Sequence, residues 1–417
     1  MNGSERQRHR LQTAEPGIRR VIKVGTSLLR GDSIRPTAAV ITDLAASLAR
    51  CRQRGEAIVL VTSGAVGLGC TALGLARRPS EVVALQAAAA VGQGRLMSLY
   101  QDAFAVRGLE VAQVLLTRGD LASRRRYQNA CRTLEQLLAW GVVPIVNEND
   151  TLATDELRFG DNDTLSALVA VAVGAQELVL LTDVDRLYSG DPRSDPNARP
   201  IEDVWNLAEL EHYGKGAGGG GRWGTGGMGT KITAARIATT SGVRVRLADG
   251  RDPAVLEALL QGERLGTLFH PSTNPLPERK GWLAHAVLPR GSLRVDQGAE
   301  QALVHRGASL LAVGIQAVEG RFGRLEPVRL LASDGRELGR GLSTLSSEEV
   351  EAIMGMASDE VRRRLGPVGD AVVHRDQLVL TPGAEEPGHG QEVEERRCSD
   401  EGQEEGGIVQ EGERPIH

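Results

Sequence analysis

The sequence has few cysteines and no excess of basic charge. Its four cysteines are far apart and form no CxxC pair, so neither a disulfide framework nor a zinc site is indicated. A reducing, cytoplasmic environment fits this pattern best. The net charge is −5, so no general basic field attracts nucleic acid or an anionic membrane. We also predict that no apolar run reaches bilayer-spanning length, and we therefore expect no membrane partner.

Lysine is scarce as well. Lys and Arg together number 49, but only four are lysines: Lys23, Lys215, Lys231 and Lys280. The chain usually places arginine where any positive charge would serve. A lysine therefore indicates a position where a compact, flexible ammonium group is needed. Chance is the alternative explanation, and for Lys280 it is equally good.

Short β-branched runs alternate with amphipathic stretches from Arg19 onward. The predicted strands are Val21–Val24, Ala57–Val61, Val111–Leu116, Val142–Val146, Leu178–Leu181 and Val243–Leu247. The predicted helices are Thr37–Arg54, Glu81–Val106, Arg124–Trp140, Asp163–Val173 and Lys231–Ser241. This alternation predicts an α/β fold in which helices sandwich a mostly parallel sheet.

The composition changes along the chain and predicts five segments. Residues 1–18 form a polar leader without a secretory signal, and residues 19–275 form the α/β domain. A linker at 276–289 leads to a small β-rich domain at 290–381, where short strand-like runs alternate with Gly and charged residues. Residues 382–417 are rich in Glu and Gly, and both this tail and the leader are predicted to be disordered.

Polar clusters lie at or just after several predicted strands. They are Lys23–Ser27, Thr62–Ala65, Asn147–Asp150 and Thr182–Asp183. Ligands of open α/β sheets bind beyond the carboxyl ends of the strands, so these clusters predict one site built from several loops. Each cluster alone is also typical of a turn or a helix cap.

The segment from Gly214 to Lys231 is dense in glycine and leads into a predicted helix. Such a loop suits phosphate binding because backbone N–H groups and the helix dipole favour an anion. It is neither a Rossmann fingerprint nor a Walker A loop, because no strand directly precedes it and GK[ST] is not formed. A flexible surface linker is the alternative, and it fits Gly216–Gly221 better than Thr225–Lys231.

Lys23 lies in an apolar strand, where an ammonium group either reaches out to water or meets an anion. With Lys231 it would provide two cations for a phosphoryl chain. Asp161 and Asp163 precede a helix and are equally typical of a turn and a cap. No Ser–His or Cys–His arrangement recurs at the strand ends. This favours direct in-line transfer to a substrate carboxylate, which is ionised at neutral pH and needs no general base.

Six segments together resemble the glutamate 5-kinase branch of the amino-acid kinase family. In chain order they are VIKVGTSLL, VTSGAVGLG, VPIVNENDT, FGDNDTLSALVA, LTDVDRLYSGDPR and GTGGMGTKITAA. The last part, with RGASLL and GPVGDAVVHRDQL, resembles a PUA domain. The resemblance extends from about Val21 to Leu380. It implies an amino-acid kinase fold, with a small PUA-like domain after it.

The resemblance also implies roles for individual residues. Lys23 and Lys231 would act on the ATP phosphates, and Asp161 and Asp163 would organise the catalytic site. Glutamate would be bound by Ser63, Asp150 and Asn162. The nucleotide would be contacted by Lys23, Thr182, Asp183, Thr225, Gly226, Gly227, Met228, Gly229, Thr230 and Lys231.

Further expectations follow from the same resemblance. The cofactors would be ATP and Mg²⁺ carried by the nucleotide, without a metal site in the protein itself. The product would be γ-glutamyl phosphate, the first intermediate of proline biosynthesis, and proline would be a feedback inhibitor. We expect a homo-oligomer.

Two alternatives stay open from the residues alone. One is another amino-acid or carbamate kinase on the same fold. The other is an RNA-binding protein led by the PUA-like domain. Residues 290–380 have few aromatic side chains for stacking on bases and no dense basic run. RNA binding by this domain is therefore not expected, and a regulatory or structural role is favoured.

Overall fold

The computed structural model describes residues 17–31, 35–152, 162–206, 227–366 and 371–381. The chain divides into two compact units, with the boundary between Leu288 and Pro289. Most of the predicted leader and the whole predicted tail lie outside the described residues. The limits given above for the leader, the linker and the tail stay predictions.

The first unit is built on a sheet whose central strands are buried on both faces. In chain order the strands of this unit are β1 (Arg19–Val24), β2 (Ala57–Val61), β3 (Val111–Leu116), β4 (Val143–Glu148), β5 (Glu177–Thr182), β6 (Leu187–Tyr188), β7 (Pro200–Ile201), β8 (Asp203–Val204), β9 (Arg244–Asp249) and β10 (Thr267–Phe269). Eight of them form one sheet in the order β3-β4-β2-β1-β5-β9-β10-β8, and β6 pairs only with β7. The central strands that are buried on both faces are β1, β2, β4, β5 and β9. Every neighbouring pair in the sheet is parallel except β9 and β10.

Helices follow most of these strands. They are α1 (Thr26–Leu29), α2 (Thr37–Gln53), α3 (Ala65–Ala72), α4 (Val82–Ala105), α5 (Arg118–Ala122), α6 (Arg124–Ala139), α7 (Asn162–Ala172), α8 (Met228–Thr240), α9 (Pro253–Leu260) and α10 (Glu278–His285). The five predicted helices are all present, with ends shifted by no more than three residues. The predicted fold class is therefore confirmed, because continuous apolar strands buried between helices are typical of a parallel sheet.

Helix α3 was not predicted from the sequence. Its two glycines, Gly67 and Gly69, lower its intrinsic helix propensity. Gly69 is nevertheless required where α3 crosses α4, because a Cβ at this position would lie 1.8 Å from the carbonyl oxygen of Ala88. On α4, a Cβ at Gly92 would lie 1.7 Å from the carbonyl oxygen of Ala65. The two helices are thus packed backbone to backbone.

Helix α4 corrects one expectation from the sequence. Among the described residues it is the one helix that is long and apolar enough, by length and composition alone, to cross a membrane. The prediction that no apolar run reaches this length was therefore wrong. Leu96, Tyr100 and Phe104 of α4 are fully buried in the core of the first unit.

The amino ends of the central strands are joined by buried ion pairs. Glu177, at the start of β5, accepts hydrogen bonds from Arg20 Nε at 2.7 Å and from Arg246 Nε at 2.9 Å. Glu56 also pairs with Arg20. Because Thr182 lies at the other end of β5, this network is at the opposite edge of the sheet from the polar clusters.

The second unit contains a six-stranded sheet. Its strands are β11 (Gly291–Val295), β12 (Leu310–Leu311), β13 (Ile315–Gly320), β14 (Pro327–Leu331), β15 (Glu337–Ser343) and β16 (Ala371–Leu380). They follow the order β12-β16-β15-β14-β11-β13, and only β11 and β14 pair in parallel. The strand-like runs of the sequence, Ser292–Val295, Pro327–Leu331, Glu337–Gly341 and Ala371–His374, coincide with β11, β14, β15 and the start of β16.

The sequence did not predict the helices of this unit, which are α11 (Gln297–Arg306), α12 (Ser347–Ile353) and α13 (Ser358–Leu365). A capping signal marks the first of them, because Asp296 Oδ1 accepts a hydrogen bond from the N–H of Ala299. Ser346 and Glu349 form a reciprocal capping box at the start of α12.

Candidate active site

The carboxyl ends of the parallel strands surround a cavity of about 850 Å³. This volume suits a small-molecule site. Most of the predicted site residues line it, namely Lys23, Ser63, Asp150, Asn162, Asp163, Thr182, Asp183, Gly227, Thr230 and Lys231. Residues far apart in sequence therefore meet at this edge of the sheet, as their positions after the strands predicted.

Two other predicted residues, Met228 and Gly229, are not among the described residues that line the cavity. Met228 and Gly229 lie in the first turn of α8, just after Gly227. Asp161, Thr225 and Gly226 lie outside the described residues. The roles assigned to all of these residues from the sequence stay predictions.

Asp163 is held between the two lysines. Its side chain is only 2% exposed, one of its carboxylate oxygens pairs with Lys23, and the other lies 3.1 Å from Lys231 Nζ. Thr230 Oγ1 donates a further hydrogen bond to Asp163 at 3.0 Å. Lys231 also donates to the carbonyl oxygen of Gly227 at 3.0 Å. One carboxylate thus brings β1, α7 and α8 together.

The pKa of Asp163 reflects this setting. Burial raises the pKa of the carboxyl group, but the ammonium groups of Lys23 and Lys231 outweigh this effect and hold the pKa below its ordinary value. Asp163 is therefore ionised at neutral pH, and it keeps two positive charges close to each other inside the cavity. The two ammonium groups would therefore already be in position when a phosphoryl group binds.

Asn162, the residue before Asp163, is the centre of an amide cluster. Its Nδ2 donates to the carbonyl oxygen of Thr62 at 2.6 Å, to Ser63 Oγ at 2.8 Å and to Asn147 Oδ1 at 3.0 Å. Its Oδ1 is buried and has no hydrogen-bond partner among the described residues. Asn162 lines the cavity, and an acceptor without a partner would suit a substrate ammonium group.

Helix α8 and the end of β5 form the other half of the cavity. Gly227, the N-cap of α8, makes no side-chain capping bond, and the N-terminus of a helix favours an anion. A Cβ at Gly229 would meet no atom within 4 Å, so the space beside this turn is open. Thr182, which ends β5, is buried and hydrogen-bonds Asp183 at 3.2 Å.

Three residues at the site were missed as functional residues. Asn147 lies in a cluster that the sequence indicated, but its links to Asn162 were not foreseen. Gln93 and Tyr100 lie on α4; Gln93 accepts from Asn147 at 2.8 Å, and Tyr100 shares a 2.7 Å hydrogen bond with Thr62. Their seven-residue spacing places both on one helix face, beside the buried Leu96, and this was the available signal.

No group of three or more His, Cys, Asp or Glu side chains that could hold a metal ion occurs among the described residues. Asp163 is already engaged by two lysines.

Comparisons with known proteins agree with this geometry. Residues 19–249 match the amino acid kinase family, and residues 291–365 match the PUA domain. The chain is 63% identical to a glutamate 5-kinase of Synechococcus sp. (strain CC9902) over 360 residues, which are 86% of this chain and 98% of that protein. It is 60% identical to a glutamate 5-kinase of Prochlorococcus marinus (strain MIT 9313) over 361 residues, again 86% and 98%. The resemblance inferred from the sequence is confirmed: the chain belongs to the amino acid kinase family, in its glutamate 5-kinase branch, and carries a PUA domain.

Proposed function

We propose that this protein transfers the γ-phosphoryl group of ATP to the side-chain carboxylate of L-glutamate. The product is γ-glutamyl phosphate, which opens proline biosynthesis. The observation that carries the proposal is the buried Asp163, which holds two lysines next to the amide cluster of Asn162 within one cavity. The groups that would stabilise the phosphoryl group therefore lie next to those that would bind the amino acid. The similarity to glutamate 5-kinases over most of the chain supports the same reaction.

The phosphoryl group would be stabilised by charge rather than by covalent chemistry. Lys23 and Lys231 would face the oxygens of the transferring group, and Asp163 would hold the two ammonium groups close together and oriented. The glutamate carboxylate is already ionised at neutral pH, so its oxygen attacks phosphorus without a general base. The new O–P bond forms as the bond to the leaving ADP oxygen breaks.

The amino-acid end of glutamate would be held by the amide cluster. The α-ammonium group would donate to the unpartnered Oδ1 of Asn162, and Ser63 and Asp150 also line the cavity. We assign glutamate binding to these three residues. This arrangement leaves the side-chain carboxylate free to extend toward the lysines.

The nucleotide would lie against α8 and the end of β5. We assign its phosphates to Lys23, Lys231 and the first turn of α8, and its remaining contacts to Thr182 and Asp183. Mg²⁺, bound to the phosphates, would neutralise part of their charge. We assign no protein residue to the metal as a direct ligand.

Hydroxylamine trapping tests the proposal. The protein is incubated with ATP, Mg²⁺, hydroxylamine and one acceptor at a time, namely glutamate, aspartate, N-acetylglutamate or carbamate. We expect hydroxamate only with glutamate. Turnover of another acceptor, without any glutamate-dependent hydroxamate, would refute the substrate assignment.

Proline is proposed as a feedback inhibitor at the same amide cluster. It shares with glutamate an α-carboxylate and an ammonium group, which Asn162 Oδ1 could accept. We expect proline to raise the KM for glutamate and to leave the KM for ATP unchanged. Inhibition that glutamate does not relieve would count against a shared site.

We also propose that the protein acts in the cytoplasm and that it forms a homo-oligomer. The exposed face of α4 supports the homo-oligomer. Val83 is 75% exposed and Val91 is 39% exposed on this helix. Sedimentation of the full chain should give a mass above that of one chain, and Val83→Glu should lower it.

For the PUA domain we propose a regulatory or structural role, and salt-sensitive RNA binding at nanomolar concentration would overturn this.

A further inference from the structure

One side chain outside the cavity is connected to the amide cluster within it. Gln93, on α4, accepts a hydrogen bond through Oε1 from Asn147 Nδ2 at 2.8 Å. Asn147 is 2% exposed and lies near the end of β4. Asn147 and Asn162 line the cavity, whereas Gln93 is not among the described residues that line it. Any effect of Gln93 on a substrate must therefore pass through Asn147.

The hydrogen bonds of Asn147 fix the direction of its amide. Its Oδ1 accepts from the N–H of Glu148 at 2.9 Å and from Asn162 Nδ2 at 3.0 Å. If the amide were reversed, its NH₂ group would face two donors and its oxygen would face the oxygen of Gln93. The acceptor supplied by Gln93 thus stabilises one orientation of Asn147.

The orientation of Asn147 in turn sets that of Asn162. Asn162 Nδ2 is directed at three oxygens, those of Thr62, Ser63 and Asn147, so Oδ1 is left as the unpartnered acceptor. Without the oxygen of Asn147, one of these three anchors is lost. The amide of Asn162 would then be less well oriented toward the substrate.

The starting point of this chain of amides is rigid. Gly92, the neighbour of Gln93, allows α4 to touch the backbone of α3, since a Cβ there would lie 1.7 Å from the oxygen of Ala65 and 2.5 Å from Gly69 N. Gln93 therefore projects from a helix whose position against α3 is fixed. A rigid support is what a residue needs if it is to orient others.

We infer that Gln93 is a positioning residue for glutamate: it orients Asn147, and through Asn147 it holds Asn162 with its acceptor toward the substrate ammonium group. This inference rests on the proposed role of Asn162 in binding glutamate. Gln93 does not touch the phosphates or the lysines, so it affects binding of the amino acid and leaves phosphoryl transfer unchanged.

The variant Gln93→Met tests this because methionine has a similar length but cannot accept the hydrogen bond. It leaves Asn147 with a buried, unpaired donor, and we expect the KM for glutamate to rise about tenfold. The kcat and the KM for ATP should stay within about twofold of the parent values. Gln93→Glu keeps an acceptor for Asn147 and should restore most of the affinity. Gln101→Met makes the same chemical change at an exposed position of α4 and should have no effect.

A double-mutant cycle separates positioning from a general effect on the fold. If Gln93 acts through Asn147, adding Gln93→Met to Asn147→Ala should not raise the KM for glutamate further. Additive effects, or equal losses in kcat and in the affinity for ATP, would overturn the inference. Asn162→Ala tests the underlying role: an unchanged KM for glutamate in that variant would refute the proposed binding site itself, whatever Gln93 does.

Discussion

Replacing Asp163 with asparagine removes the charge that two lysines share. In the parent protein one carboxylate faces Lys23 and Lys231, and its side chain is 2% exposed. The amide of Asp163→Asn keeps the size and one acceptor, but its NH₂ group must face a cation. The two ammonium groups are then no longer neutralised, and their mutual repulsion moves at least one of them.

The size of the effect follows from what the lysines do. Misplacing one electrostatic stabiliser of a transition state typically costs about 3–4 kcal/mol, or a loss of about 10²–10³ in kcat. Leaving a buried charge without its partner costs about 3–5 kcal/mol of stability. The cavity is open to solvent, so we expect a stability loss at the lower end of this range, about 3 kcal/mol. The KM for ATP should not rise, because the net positive charge at the phosphates increases.

The assay needs a control that is equally destabilised but distant from the cavity. Glu177→Gln is that control, because Glu177 is also 2% exposed and also joins two basic side chains, Arg20 and Arg246. Both variants are compared by denaturant unfolding and by hydroxamate formation. We expect similar losses of stability, with kcat retained in Glu177→Gln and lost in Asp163→Asn. A kcat within about threefold of the parent in Asp163→Asn would refute this account of the lysine pair.

Three further predictions follow from the same geometry. Lys231→Arg should lose most of its kcat, because a planar fork replaces a point charge that fits between Asp163 and Gly227, and near-normal turnover would contradict this. Gly92→Ala should lower the free energy of unfolding by about 3 kcal/mol through its clash with Ala65, whereas Gly94→Ala, which meets no atom within 4 Å, should be neutral or slightly stabilising by denaturant unfolding. The stability difference between the parent and Asp163→Asn should be constant from about pH 5 to 8. Below pH 3.8, the ordinary value, the difference should shrink, because the unfolded chain takes up a proton while the lowered pKa keeps Asp163 charged in the folded protein.

Much of the fold could be predicted because the strands and helices carry strong local patterns. The run from Val21 to Val24 and the helix at Arg124–Ala139 have the periods expected of a buried strand and an amphipathic helix. Helix α3 and the second-unit helices were missed for a different reason. Their propensity is weak or their length short, and tertiary contacts such as that of Gly69 with Ala88 stabilise them.

The cavity could be foreseen in part. Lys23, Ser63 and Thr182 lie at or just beyond the carboxyl ends of strands, and parallel strands bring these ends to one edge. The joint pairing of Asp163 with two lysines depends on the relative position of three elements, which no local pattern encodes. The contact of Gln93 with Asn147 spans 54 residues and depends on how α4 packs, so residue type and spacing could only indicate the helix face.

The central claim is that an oxygen of the glutamate side-chain carboxylate attacks the phosphorus that ATP supplies and becomes the bridging oxygen of the acyl phosphate. Glutamate labelled with ¹⁸O in its side-chain carboxylate, with ATP, Mg²⁺ and hydroxylamine, tests it in one measurement. Hydroxylamine attacks the acyl carbon and releases phosphate that keeps the bridging oxygen. We predict one ¹⁸O atom in the released phosphate for each hydroxamate formed. Unlabelled phosphate, or label found in AMP, would contradict attack of the carboxylate oxygen on the γ-phosphorus.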